Sequence, residues 1–370
     1  MLVRMTIPAA QSATKSVSIE NITRVFEEPF GRMPDGREVE LYTLKTPSLK
    51  VLLTNFGARI VSVEAPDRTG KPAHVVLGLN TLDEYVADRN TYLGAIVGRY
   101  GNRIAQGRFS LGNETYQVPA NDNGNALHGG PEGFDRGVWQ GRIVDEGVEM
   151  SMLSPDGDQG FPGALRVIVR YTLQGGALAM DYTASTDKDT VVNLTNHAYF
   201  NLAGESSGSI LEHEVMIPAA SYTPTDANLI PTGELAPVEG TPFDFRHATV
   251  IGDRVDADHV QLQLAGGYDH NWVLGGADGA MKLAAQVRDR ASGRVLTVET
   301  TEPGIQFYSG NFLKGTLANR TGGTYARRTG FCLETQHFPD SPNHPEFPTT
   351  VLKAGTTMQS RTVFSFSVEG

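Results

Sequence analysis

The chain of 370 residues contains one cysteine, Cys332, so it holds neither an internal disulfide nor a cysteine-rich zinc site. No stretch approaches the roughly 18–20 consecutive apolar residues of a membrane helix. Basic residues are the minority: 31 Lys plus Arg stand against 42 Asp plus Glu, a formal net charge of −11. That balance argues against nucleic acid as the main partner, because phosphate recognition needs a basic face. The first residues lack an apolar run of about 7–15 positions behind a basic start, the pattern of a secretory leader. Residues 1–20 are expected to be a poorly ordered extension before a single domain at 21–370, in a cytoplasmic protein.

Helical signals are scarce as well. With 41 glycines and 20 prolines, long helices would be interrupted everywhere, and no amphipathic run of helical period stands out. Thr81-Leu82-Asp83-Glu84 has capping-box spacing and predicts one short turn of helix. Strands do not alternate with helices, which disfavours a parallel α/β sheet. No glycine-rich loop opens a helix, so no nucleotide cofactor is implied. The Gly-x-Ser-x-Gly elbow of α/β-hydrolases is missing too.

What is present is period-two alternation in a chain that is 39% hydrophobic and 20% charged, a globular composition. Leu165, Val167, Val169, Tyr171 and Leu173 share one strand face. Gly175-Gly176 turns the chain, and Leu178, Met180, Tyr182 and Ala184 continue the alternation as a hairpin. Leu283, Ala285 and Val287, then Leu296, Val298 and Thr300, repeat the pattern around Ser292-Gly293. Phe364, Phe366 and Val368 close it. Many short strands between turns indicate an all-β fold, a large antiparallel sandwich with few short helices.

Several segments depart from this pattern by crowding polar, ionisable and aromatic residues between glycines and prolines. In Gly98-Arg99-Tyr100-Gly101-Asn102-Arg103-Ile104, Asn102 and Arg103 offer fixed donors to a polar ligand, although an arginine taken alone reads more readily as a surface ion pair. His128 lies in the loop Asn125-Ala126-Leu127-His128-Gly129-Gly130, where a lone histidine is usually only solvated. On an extended strand, Asn193, Thr195, His197 and Tyr199 would share a polar face, either ligand-facing or a buried hydrogen-bonded network. Asp269 flanked by Tyr268 and Trp272 suits carbohydrate, which presents hydroxyls at its edge and C–H groups on its faces. Gln306 adds a neutral hydrogen-bonding group, and Cys332 and Glu334 on one strand face would give a partly desolvated carboxylate with a raised tendency to hold a proton. His337, Asp340 and His344 could in principle converge on a metal, but Pro339, Pro342 and Pro345 forbid the helix that would align them.

Taken in order, these segments resemble the galactose mutarotase (aldose 1-epimerase) family. The resemblance runs through Gly98–Ile104, Asn125–Gly130, Asp156-Gly157-Asp158-Gln159-Gly160-Phe161-Pro162-Gly163, Asn193–Leu202, Tyr268–Asn271 and Glu334-Thr335-Gln336-His337-Phe338-Pro339-Asp340. Any single motif is unspecific; the ordered set is specific and leaves out only about the first twenty residues. It implies an antiparallel supersandwich with an open sugar cleft, exchanging the α and β anomers of free aldohexoses such as galactose and glucose. By motif position, Glu334 is the general base and His197 the general acid. His128 sits beside it, holding substrate and supporting acid chemistry, and Asn102, Arg103, Asp269 and Gln306 bind hydroxyls. No cofactor and no metal are expected; the partner is a small sugar, with no nucleic acid or membrane, and the assembly a monomer or weak homodimer. Rival readings are a hexose-phosphate epimerase, which needs a cationic cluster such as Arg99 with Arg103, a carbohydrate-binding module without turnover, and a polysaccharide-cleaving enzyme using Asp269 with Glu334.

Overall fold

The alternation noted above builds the framework. In the computed structural model, which describes residues 23–370, Leu165–Gln174 and Ala177–Thr186 pair antiparallel in unbroken register, and every odd apolar residue from Leu165 to Leu173 is buried. The two-residue turn needs glycine because Gly175 sits at φ +56°, in the left-handed region. This hairpin lies within a nine-stranded sheet running from Gln140–Val144 through Thr357–Val368 to Thr249–Val250. The expected extension at 1–20 lies outside the described residues.

A six-stranded sheet faces it, in the order Tyr199–Phe200, Phe331–Gln336, Gly304–Tyr308, Asp269–Val273, Ser221–Thr223, Ala236–Pro237. Ile305, Phe307, Trp272, Phe331 and Leu333 from this sheet share one apolar core with Val167, Val169, Tyr171 and Leu296 from the larger one. The Thr335 hydroxyl meets that of Thr362 at 2.6 Å, tying the two layers together. Because side chains alternate across a strand, Cys332, Glu334, Gln306, Tyr308 and Asp269 point the other way. A five-stranded sheet from Arg24–Arg32 to Pro72–His74 completes the framework. The apolar contacts between sheets, not local propensity, set which face is core.

Three α-helices occur among the described residues, the longest six residues, and none is long and apolar enough to cross a membrane. The helix Leu82–Ala87 starts at the capping box read from sequence: the Thr81 hydroxyl accepts from the Glu84 amide, and the Glu84 carboxylate accepts from the Thr81 amide.

Two strand expectations require correction. Leu283 does not share the buried face of Ala285 and Val287; it is 37% exposed, because a bulge between Leu283 and Ala285 shifts the register by one residue. The segment Asn193–Tyr199 is not one strand. Thr195–Asn196 pairs with Ile96–Val97, Tyr199–Phe200 pairs with Phe331–Gln336, and the chain breaks between them at His197-Ala198. That break turns the histidine out of line with its neighbours and into a cleft.

Candidate active site

The pocket face of the six-stranded sheet forms the floor of a polar cleft open to solvent. Glu334 rises from Phe331–Gln336 and is buried. Asp269 opens the strand Asp269–Val273 two strands away. Between them, Gln306 stands in register with Glu334 and donates from Nε2 to Asp269 Oδ1 at 2.8 Å. Gln306 thus braces Asp269 through Nε2, while its Oε1 is buried without a protein partner.

His197 enters from the broken strand. Its amide donates to Ala95 O at 2.8 Å and its carbonyl accepts from the Gly94 amide at 3.0 Å, so the backbone is pinned on both sides of the ring. Nε2 lies 3.8 Å from Glu334 Oε1, and Nδ1 lies 3.5 Å from Cys332 Sγ. Tyr199 stacks on the imidazole at 5.0 Å between centroids, Tyr92 at 5.8 Å, and the His128 ring meets it edge-on at 5.1 Å.

His128 and Asn102 are brought together by the short pairing of Ala126–Leu127 with Arg103–Ile104. The His128 amide donates to Asn102 O at 3.0 Å, and the Asn102 amide donates to His128 Nδ1 at 3.1 Å. A backbone N–H can only donate, so Nδ1 carries the lone pair and the neutral ring bears its proton on Nε2. The Gly129 that follows takes φ +89°, and a Cβ there would collide with the Gly98 carbonyl, which explains the glycine after the histidine. Arg103 also lines the cleft. Its Nε donates to Asp122 Oδ2 at 2.8 Å, and Nη1 stands 3.9 Å from Asp269 Oδ2.

Burial dominates the electrostatics. It pushes the Glu334 carboxyl well above its ordinary 4.5, with the nearby Asp269 charge adding to the rise and Arg103 opposing it. It pushes His197 down to about 4, and His128 well below its ordinary value with help from His197 and Arg103. In water glutamate is the stronger acid by about two units. Here that order is reversed, so Glu334 as carboxylic acid with neutral His197 becomes competitive with the carboxylate–imidazolium pair. Glu334 Oε2 is buried without a protein partner, which leaves it free to exchange a proton with a ligand.

His128, His197 and Glu334 each place one ligand-type atom within 4.8 Å of the others. As a metal set they fit poorly. The His128 Nδ1 lone pair is taken by the Asn102 amide, so Nε2 is a protonated donor rather than a free ligand. His337, Asp340 and His344 do not converge either: His337 bonds Glu302 at 2.7 Å, while His344 faces Asp340 at 3.4 Å.

Of the other residues singled out from sequence, Asn193 is structural: its side chain clamps Gly101 O and both the amide and carbonyl of His337. Arg99 is also structural. It is buried, and its guanidinium donates to the carbonyls of Ser154, Pro155, Pro162 and Gly163. Sequence reasoning missed Asn90, Thr91, Tyr92, Phe312 and Leu313, all of which line the cleft. Nothing in the polar run Asn90-Thr91-Tyr92 sets it apart from an ordinary loop. It becomes a wall because Arg59, buried beneath it, donates to Leu93 O at 2.9 Å and to Asp135 O at 2.8 Å. Tyr199, placed beside His197 from sequence, does line the cleft, and Tyr308 could have been found from period-two spacing with Gln306.

These features define an antiparallel sandwich protein with a buried histidine–glutamate pair at the floor of a polar cleft. The chain belongs to the aldose 1-epimerase family, whose model matches residues 40–365. It is 46% identical over 340 residues to the galactose mutarotase of Mus musculus, covering 92% of this chain and 97% of that one. Similarity to the aldose 1-epimerase of Escherichia coli (strain K12) is 41% over 343 residues, covering 91% and 97%. Among solved structures, galactose 1-epimerase from Lactobacillus acidophilus NCFM superposes with a TM-score of 0.82 at 28% identity, covering 94% of this chain and all of that one.

Proposed function

We propose that the cleft exchanges the α and β anomers of free aldohexoses such as galactose and glucose, with Glu334 and His197 as the proton-transfer pair. The enzyme is an isomerase of the aldose 1-epimerase type. The observation that carries the residue roles is the 3.8 Å approach of His197 Nε2 to Glu334 Oε1 at a buried floor, where burial raises the proton affinity of the carboxyl and lowers that of the imidazole.

Ring opening needs two proton transfers. The anomeric O1–H gives its proton to the Glu334 carboxylate, C1=O1 forms as C1–O5 breaks, and O5 takes a proton from the His197 imidazolium. Rotation about C1–C2 presents the other aldehyde face, and the transfers reverse. During the open-chain interval the pair is a carboxylic acid with a neutral imidazole, the arrangement that burial favours here. Each matched transfer contributes about 10²–10⁴-fold. His128 donates its Nε2–H to a sugar oxygen. Asn102, Arg103 and Asp269 hold hydroxyls, with Gln306 bracing Asp269, so that both transfers stay within reach. Electrons and groups are conserved throughout, so the reaction calls for no cofactor.

A phosphorylated hexose fits less well. Among the described residues, Arg103 is the one lysine or arginine lining this cleft, and it is shared with Asp122 and Asp269. On this reading the protein acts on a free sugar as a monomer or weak homodimer, with residues 21–370 as one domain and no nucleic-acid or membrane partner.

Polarimetry of freshly dissolved α-D-galactose and α-D-glucose in EDTA tests this. A faster approach to the same final rotation is expected. Binding without acceleration would overturn the activity.

A further inference from the structure

We propose that Cys332 is a positioning residue for His197: its sulfur accepts a hydrogen bond from Nδ1–H, so that Nε2 is the nitrogen that exchanges protons with the sugar. This rests on the reading of His197 as the general acid.

Cys332 is the chain's single cysteine, buried on the strand Phe331–Gln336 two residues before Glu334 and on the same face. Its sulfur stands 3.5 Å from His197 Nδ1, within hydrogen-bond reach for sulfur. The strand therefore grips both edges of one imidazole, with Glu334 opposite Nε2 and Cys332 opposite Nδ1. Cys332 pairs in register with Tyr199 and Tyr308, whose rings flank His197 at 5.0 and 6.4 Å. The ring is thus fixed in plane and in rotation. The residue's own carbonyl accepts from the Gly94 amide.

Sulfur is an apt partner because it orients without charge. Burial, with Glu334 and Asp269 nearby, drives the thiol well above its ordinary 9.0, so it stays protonated and neutral. A carboxylate in this place would stabilise the imidazolium and weaken it as an acid. A neutral, weak acceptor leaves the imidazolium a strong acid toward O5. The charged and titratable groups around the ring are Glu334 at Nε2, His128 and Tyr92 across the cleft, Tyr199 and Tyr308 at its sides, and Arg59, which lowers its proton affinity.

The test compares Cys332→Ala and Cys332→Ser in the full chain, using polarimetry, galactose binding by calorimetry, and ¹⁵N NMR of the histidine rings. In the parent and in C332S, His197 should show a protonated Nδ1 and a pyridine-type Nε2, with kcat within about threefold, because a hydroxyl is also a neutral acceptor. In C332A, kcat should fall about tenfold, KM and galactose affinity should hold within about twofold, and the Nε2–H tautomer should appear. An unchanged His197 tautomer and kcat in C332A would overturn the proposal. If C332A does not fold, C332S decides alone: a protonated Nε2 in either the parent or C332S would overturn it. Failure of the acid assignment is separate, since it would show as His197→Asn retaining the parent rate.

Discussion

Replacing Glu334 by glutamine should abolish most turnover while making the protein more stable at neutral pH. The side chain is buried at the cleft floor, and burial raises its proton affinity well above 4.5. Glutamine keeps the shape and hydrogen-bonding edge but accepts no proton. Loss of one proton-transfer partner predicts a fall in kcat of about 10²–10⁴-fold, or about 3–5 kcal/mol of barrier. Stability should move the opposite way. A carboxyl whose folded proton affinity exceeds its unfolded one contributes stability that is complete below pH 4.5 and is lost as pH rises through the folded value. Relative to Glu334→Gln, the parent therefore loses up to about 1.4 kcal/mol for each pH unit between those two values. Polarimetry with α-D-galactose gives the rate, and thermal melts from pH 4 to pH 8 give the stability. The melting-temperature advantage of Glu334→Gln should widen as pH rises. A gap that is constant or narrows would refute the burial argument, and a kcat within tenfold of the parent would refute the base assignment.

His197→Asn should also lower kcat by about 10²–10⁴-fold with galactose still bound; calorimetric binding beside a normal rate would remove His197 from the chemistry. Asp269→Ala should raise KM more than it lowers kcat if Asp269, which lines the cleft braced by Gln306, holds a hydroxyl as proposed. The reverse split in steady-state kinetics would assign it a proton-transfer role. Arg99→Met should cost about 3 kcal/mol of stability, since it strips buried carbonyls of a charged donor. The folded fraction should turn over galactose at close to the parent rate; lost activity with an unchanged denaturation midpoint would place Arg99 at the site after all.

Much of the fold was legible because burial on one strand face writes itself as period two. The Leu165–Leu173 and Leu178–Ala184 hairpin and the capping box at Thr81 follow from short-range rules that tertiary contacts did not override. Where a bulge intervened, at Leu283, the alternation misled, since one extra residue reverses inside and outside. Asn193 to Tyr199 misled for a related reason. Its residues satisfy their backbone bonds with two different partner segments, and no local signal marks where one ends.

The residues at the cleft floor were named from sequence, yet their relation to one another was not. Glu334 on a strand face beside Cys332 already implied a desolvated carboxyl. Its approach to His197 depends on a strand break 137 positions earlier in the chain. Arg99 and Arg103 look alike in the motif, but one is sunk under four carbonyls and the other opens on the cleft. Thus the chain's own pattern determined its class, its sheets and the chemical inventory of its site, because these follow from side-chain type and spacing of two. Only the tertiary structure decided which nitrogen faces which oxygen, which arginine is structural, and that Tyr92 walls the cleft. Those outcomes depend on contacts between segments distant in sequence, and burial, which sets the proton affinities, is a property of the packed whole.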